Sequence, residues 1–128
     1  MTKTNLTPGA HLLLAAVLGL SGAGCRKQAV VPTPVAVEEV APTVEKAFQQ
    51  SAPEVRQSAS EAVAAVQSGD DGKALDELTE LSVKPELTPE QRQAVTRSML
   101  GVQQRLRTAA EKGDKRAEAI LEHYRATK

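Results

Sequence analysis

The stretch that decides the fold is TPEQRQAVTRSMLGVQQRLRTA, residues 88–109. Thr88 can accept hydrogen bonds from the free N–H groups of a first helical turn. Pro89 has no N–H, but an N–H at this position of the first turn would have no acceptor within the helix. The Gln91 side chain can accept a hydrogen bond from the N–H of Thr88. Apolar residues follow at alternating steps of four and three, as on one face of a helix: Val95, Met99, Val102, Leu106 and Ala109. This segment predicts a long amphipathic helix.

Three further segments have helix start and stop signals. Residues 51–54 (SAPE) have the pattern of a capping box with proline in the first turn. Residues 69–72 (GDDG) end that helix and cap the next, and Gly113-Asp114 supplies another stop and cap. The apolar stripes of these segments are Val55, Ala59, Ala62, Val63 and Val66; Ala74, Leu75, Leu78 and Leu81; and Ala117, Ile120, Leu121 and Tyr124.

The stripes are too small to be stable alone, because short isolated helices are marginal in water. Short connections favour antiparallel neighbours, which pairs the first helix with the second and the third with the fourth. We therefore predict an all-α domain over residues 43–128, a small antiparallel bundle of three to four helices built from two αα-hairpins.

Composition restricts the function. The chain has 128 residues, with Phe48 and Tyr124 as its only aromatic side chains and a formal net charge of zero. A core rich in Ala and Val does not readily form an aromatic-lined small-molecule site. A balanced charge leaves no excess of basic residues to bind phosphate groups, so nucleic acid is not an expected partner.

The N-terminal segment is typical of export. Residues 12–20 form an apolar run of nine, and the small residues 21–24 follow it directly. A membrane-spanning helix needs about 20 apolar residues, whereas the hydrophobic part of a signal peptide needs about 7–15. We predict a signal peptide over residues 1–24, followed by Cys25, which is the only cysteine of the chain.

Residues 22–25 resemble the lipobox of bacterial lipoproteins. Ala23 and Gly24 match its two small positions and Cys25 its modified residue, while Gly22 stands where the family has a branched apolar residue. The resemblance implies cleavage between Gly24 and Cys25, a thioether-linked diacylglycerol on Cys25, and often an N-linked acyl chain such as palmitate. Because Arg26 rather than Asp follows the cysteine, the resemblance favours the outer membrane, facing the periplasm.

An ordinary secretory signal is the alternative. Ser21-Gly22-Ala23 is itself an acceptable small-x-small cleavage site, and its use would leave Cys25 as a free thiol in an unlipidated periplasmic protein. In either form, residues 25–42 are predicted to be a linker, because three prolines and many β-branched residues favour extended chain. At about 3.1 Å per residue, this linker would reach roughly 50 Å.

No group of residues predicts catalysis, a cofactor or a metal. His11 lies in the signal, which leaves His123 as the only histidine of the mature chain, beside Glu118 and Glu122 in a spacing that matches no zinc motif. Asp70-Asp71-Gly72 lacks the later ligands of a calcium loop, and we interpret both acids as helix caps. An enzyme is therefore not expected.

Two further resemblances concern the mature domain. Gly69, Ala74, Leu78 and Pro85 roughly match the middle of a tetratricopeptide repeat, although small residues fill the aromatic positions of its first helix. The chain also ends in Lys128 shortly after a tyrosine and an arginine, as the murein lipoprotein family does. That resemblance implies attachment of Lys128 to peptidoglycan.

These observations lead to two hypotheses. The first is a lipid-anchored envelope protein whose helical domain serves as an interaction or accessory module, with the membrane and an unidentified envelope protein as partners. The alternative is a structural tether between the outer membrane and peptidoglycan, joined through Lys128.

Overall fold

The structure, a computed structural model, describes residues 30–127. Within this range it contains five helices and no strand, which confirms the all-α class. The helices are α1 (Val37–Phe48), α2 (Pro53–Gln67), α3 (Asp71–Ser82), α4 (Pro89–Glu111) and α5 (Lys115–Ala126).

The first four helices form a closed ring of neighbours. α1 packs on α2, α2 on α3, α3 on α4, and α4 on α1, while α5 is added outside this ring against α4 and, to a smaller extent, α3. The start of α1 lies beside the middle of α4 and its end beside the start of α4, so these two helices are antiparallel. α2 and α4 therefore occupy opposite corners of a four-helix bundle.

The predicted hairpins are present, α2 with α3 and α4 with α5. The predicted number of three to four helices is too low, because α1 precedes them. The predicted linker over residues 25–42 is too long, since α1 begins at Val37. The apolar side chains of this segment recur at helical spacing and pack on α2 and α4, which overrides the extended preference of a proline-containing chain. Pro42 lies on the exposed face of α1.

Three of the predicted helix starts are confirmed by side-chain hydrogen bonds, that of α3 through Asp70, which accepts from the Lys73 N–H. Thr88 Oγ1 accepts from the Gln91 N–H while Gln91 Oε1 accepts from the Thr88 N–H, which completes the capping box of α4. Asp114 Oδ1 accepts from the N–H groups of Arg116 and Ala117 at the start of α5. Gly113 before it adopts a positive φ of 92°, a conformation that glycine reaches without strain.

The predicted capping box at residues 51–54 is wrong. α2 begins after Ala52, and no side chain caps it. Ser51 Oγ instead accepts a hydrogen bond from Gln91 Nε2, which also donates to the Ala47 carbonyl in the last turn of α1. The polar groups of Gln91 thus join the start of α4 to the end of α1, and Ser51 is used in tertiary packing.

The core is made of small and medium apolar side chains, with Phe48 as its one buried aromatic residue among the described positions. α3 contributes the most regular set, in which Ala74, Leu75, Leu78 and Leu81 are all at most 1% exposed. Val35, which precedes α1, is 6% exposed and belongs to the same core. The folded domain therefore begins before its first helix.

Candidate functional site

The first described segment, residues 30–36, lies along α4 and is called the strap below. Two hydrogen bonds hold it there. Arg97 Nε donates to the Thr33 carbonyl at 2.8 Å, and the Val35 N–H donates to the Arg97 carbonyl at 3.3 Å. The strap is thus attached to the middle of α4 through both the side chain and the backbone of a single residue.

Gly101 makes this contact possible. A Cβ atom on Gly101 would lie 2.3 Å from the Val35 carbonyl oxygen and 3.3 Å from Val40 Cγ2, so no larger residue fits the present backbone. Ser98, one helical turn earlier and fully buried, is also small. Its hydroxyl has no hydrogen-bond partner among residues 30–127. Two small residues, Ser98 and Gly101, therefore lie on the face of α4 that the strap and α1 approach closely.

Two open grooves flank the strap. One, of about 460 Å³, lies between the start of α1 and the second half of α4, with Glu38, Arg105 and Lys112 on its walls. The other, of about 770 Å³, runs along the outer face of α4. Its lining includes Val31, Pro32, Leu100, Arg107 and Glu111. The strap forms one wall of each groove.

An ion pair joins α3 to α4 at the edge of the smaller groove. Arg105 makes two hydrogen bonds to the Asp71 carboxylate, one of them from Nε to Oδ2 at 2.9 Å. The Asp71 side chain is 13% exposed, so this pair is more shielded than the other ion pairs of the described chain. The prediction that Asp70 and Asp71 are both caps holds for Asp70, which accepts from the Lys73 N–H, and is wrong for Asp71.

Two smaller grooves lie away from the strap. The groove between α1 and α2 has a volume of about 270 Å³, with Phe48, Ala59 and Val63 among its lining residues and Glu45 and Arg56 as charges at its edges. Both charged side chains are exposed.

The groove between α3 and α5 has a volume of about 250 Å³ and is mainly apolar. Its lining includes Leu75, Ile120, His123 and Tyr124. His123 is exposed and lies in the last turn of α5.

The site residues predicted from the sequence lie outside the part of the chain that the structure describes. Gly24 and Cys25 precede residue 30 and Lys128 follows residue 127, so lipidation, signal cleavage and peptidoglycan attachment all concern residues outside the described range. These three assignments stay predictions. Within residues 30–127, no helix is long and apolar enough to cross a membrane. No group of three or more His, Cys, Asp or Glu side chains in that range is placed to hold a metal ion.

No protein-family model, curated protein or solved structure matches this chain significantly. The resemblance of α2 and α3 to a tetratricopeptide repeat stays one of sequence pattern alone.

The strap was missed by the sequence analysis, which assigned its residues to the linker. A signal was present in the spacing of Val37, Val40, Val44 and Phe48, which is helical and would have moved the domain start towards the N-terminus. The attachment of Thr33 to Arg97 had no such signal, because it joins residues 64 positions apart.

Proposed function

We propose that this chain is a lipid-anchored protein of the bacterial cell envelope, with Cys25 as the lipidated residue and the helical bundle as an interaction or accessory module held close to the membrane. The observation that carries the proposal is the position of Cys25. The only cysteine of the chain follows an apolar run and four small residues.

The start of the folded domain supports a short distance to the membrane. Thr33 is bonded to Arg97, so only eight residue steps separate Cys25 from a fixed point on α4. Even a fully extended chain of that length spans at most about 29 Å. The reach of roughly 50 Å expected for the longer linker is reduced accordingly.

The bundle supplies surfaces that a partner could use, though not a broad apolar patch. Among the described residues, Val83 is the only large apolar side chain exposed on the helical part of the domain, at 74%. A partner would therefore be recognised through the grooves between helices. The groove between α1 and α2 suits this role, because apolar side chains lie within it and Glu45 and Arg56 flank them.

Metabolic labelling with a palmitate analogue tests the anchor. Wild-type chain and Cys25→Ser are expressed in a bacterium that lipidates exported proteins, and label is expected on the wild type alone. Gly22→Leu places an apolar residue at the lipobox position that departs from the family, and so serves as a positive control. Wild-type protein that is exported but carries no label, beside labelled Gly22→Leu, would contradict the proposal.

Crosslinking in native membranes tests the module. A crosslinkable residue at Ser60, which is exposed and lines the α1–α2 groove, is expected to capture one defined envelope protein. The same residue at Glu90, an exposed position on α4, is the control and is expected not to capture it. Equal capture from both positions would show that the groove has no special role.

A further inference from the structure

We infer that the strap and the outer face of α4 form a surface that lies on an anionic lipid bilayer, so that the bundle has one fixed orientation on the membrane. This inference rests on the proposed anchor at Cys25 and goes beyond it, since lipidation alone leaves the domain free to rotate. The occupant of the large groove beside the strap is then the bilayer surface itself.

Apolar exposure is the first observation. The described residues include three exposed large apolar side chains, and two of them, Val30 and Val31, are neighbours in the strap with 82% of their surface exposed. Val30 is five residue steps from Cys25, a separation of at most about 18 Å. Two adjacent valines within this distance of a lipid chain are placed where apolar side chains enter the headgroup region.

Charge is the second observation. Arg26 and Lys27 follow the anchor directly in the sequence, and Arg97 and Arg107 lie on the strap-bearing side of α4. Glu111 in the same groove and Glu38 in the smaller groove beside the strap offset two of these charges. Basic residues next to an anchored chain are attracted to anionic lipids, and several of them act together.

The side of the bundle away from the strap has an excess of acidic residues. α2 and α3 together contain two basic and six acidic residues, whereas α4 contains four basic and two acidic residues. Of the basic residues of α4, Arg105 pairs with Asp71 of α3 and Arg92 donates to the Pro85 carbonyl, so Arg97 and Arg107 are the two that lie on the strap side. α2 is diagonal to α4 in the bundle. An anionic surface therefore repels the α2–α3 side more strongly than the strap side, and this difference favours the same orientation as the exposed valines. The α1–α2 groove is then left accessible to a partner.

The absence of tryptophan from the chain allows a direct test. The chain from Cys25 to Lys128 is coupled through its only thiol to a maleimide lipid, in vesicles of phosphatidylcholine with or without phosphatidylglycerol. Single tryptophans are introduced as Val31→Trp in the strap, Val83→Trp as a matched exposed valine directly after α3, and Ser60→Trp on α2. Circular dichroism confirms that each variant is folded.

Val31→Trp is expected to show a blue-shifted emission and quenching by lipids brominated near the headgroup, more strongly with phosphatidylglycerol. Val83→Trp and Ser60→Trp are expected to keep the emission of a water-exposed indole. Arg107→Gln added to Val31→Trp should lower the quenching in anionic vesicles. The orientation is overturned if all three tryptophans are quenched alike or if none is.

Chemical coupling separates this inference from the proposed function. The maleimide lipid supplies the anchor whether or not cells lipidate Cys25, so a failed palmitate labelling and a failed orientation are different results. Equal quenching of Val31→Trp with and without phosphatidylglycerol would overturn the role of the basic residues.

Discussion

Helices α1 and α5 each have 12 residues and both pack on α4, yet they are held there in opposite ways. α5 begins on Asp114, which caps two backbone N–H groups, but it buries only Ala117 and Leu121. α1 begins on Ala36 with no side-chain cap and contains a proline. Its buried residues are Val40, Ala41, Val44 and Phe48.

The difference separates two sources of helix stability. Capping supplies about 1 kcal/mol at one end of a helix. Fully burying a single Val, Leu or Phe side chain contributes about 1.5–3 kcal/mol. α1 therefore forms because the bundle needs its apolar face, in spite of poor local signals. α5 has good local signals and a smaller share of the core.

Removing the largest core side chain of each helix gives the largest expected effect. Phe48→Ala should lower the free energy of unfolding by about 3–5 kcal/mol, because the ring is 1% exposed and leaves a cavity. Leu121→Ala should cost about 2–3 kcal/mol, since Leu121 is 7% exposed at the edge of the core. Urea unfolding followed by circular dichroism measures both, with Phe48→Leu as a milder variant if the alanine variant fails to fold. Equal losses would remove the distinction between the two helices.

Filling the space between α4 and the strap should have the next largest effect on the stability of the domain. Gly101→Ala should destabilise the domain by about 1–3 kcal/mol, because its Cβ would overlap the Val35 carbonyl. Gly72→Ala is the matched control. Its Cβ would make an ordinary 3.6 Å contact with Ile120, so a gain of up to about 1 kcal/mol is expected from helix propensity. An unchanged free energy of unfolding in Gly101→Ala would mean that the strap can leave α4 without loss of stability.

Loss of the α5 cap should have a smaller and more local effect. Asp114→Ala removes the acceptor of two backbone N–H groups and should cost about 1 kcal/mol. Amide hydrogen exchange should become faster in the first turn of α5 and stay unchanged in α1. Faster exchange across the whole bundle would show that α5 folds as one unit with it.

Adding a cap to α1 should have the smallest effect. Ala36→Ser, with Glu39 three residues later, creates the Ser-x-x-Glu pattern of a capping box at an exposed position. A gain of about 0.5 kcal/mol in thermal or urea unfolding is expected. Ala36→Val, which offers no acceptor, is the control. A loss of stability with serine would indicate that the backbone of residue 36 is determined by the strap rather than by the helix.

The all-α class and four of the five helices were predictable because their signals are local. Thr88 and Gln91 lie three residues apart, and Asp114 caps residues two and three positions later, so each pattern is complete within one turn. Residues 37–42 of α1 were assigned to the linker because Pro42 and its neighbouring prolines are local signals for extended chain, while the partners that stabilise this helix lie on α2 and α4.

The sites divide in the same way. Cys25 was predicted as the lipidated residue from the residues immediately before it, because export and lipidation enzymes read such a local segment in bacterial lipoproteins. The strap could not be identified in this way, because its hydrogen bonds join Thr33 and Val35 to Arg97. The role of Asp71 was misassigned for the same reason, since its partner Arg105 is 34 positions away.

By itself, the sequence determined the approximate positions of four of the helices and which of their faces are apolar, and it placed the only cysteine after an apolar run and four small residues. Only the tertiary structure decided that the helical spacing of residues 37–48 outweighs the local effect of Pro42, that Ser51 and Asp71 contact other helices, and that Gly101 receives the strap. The physical reason is one of range. Caps and stripes act between residues a few positions apart, whereas packing and ion pairing depend on which helices the closed bundle brings together.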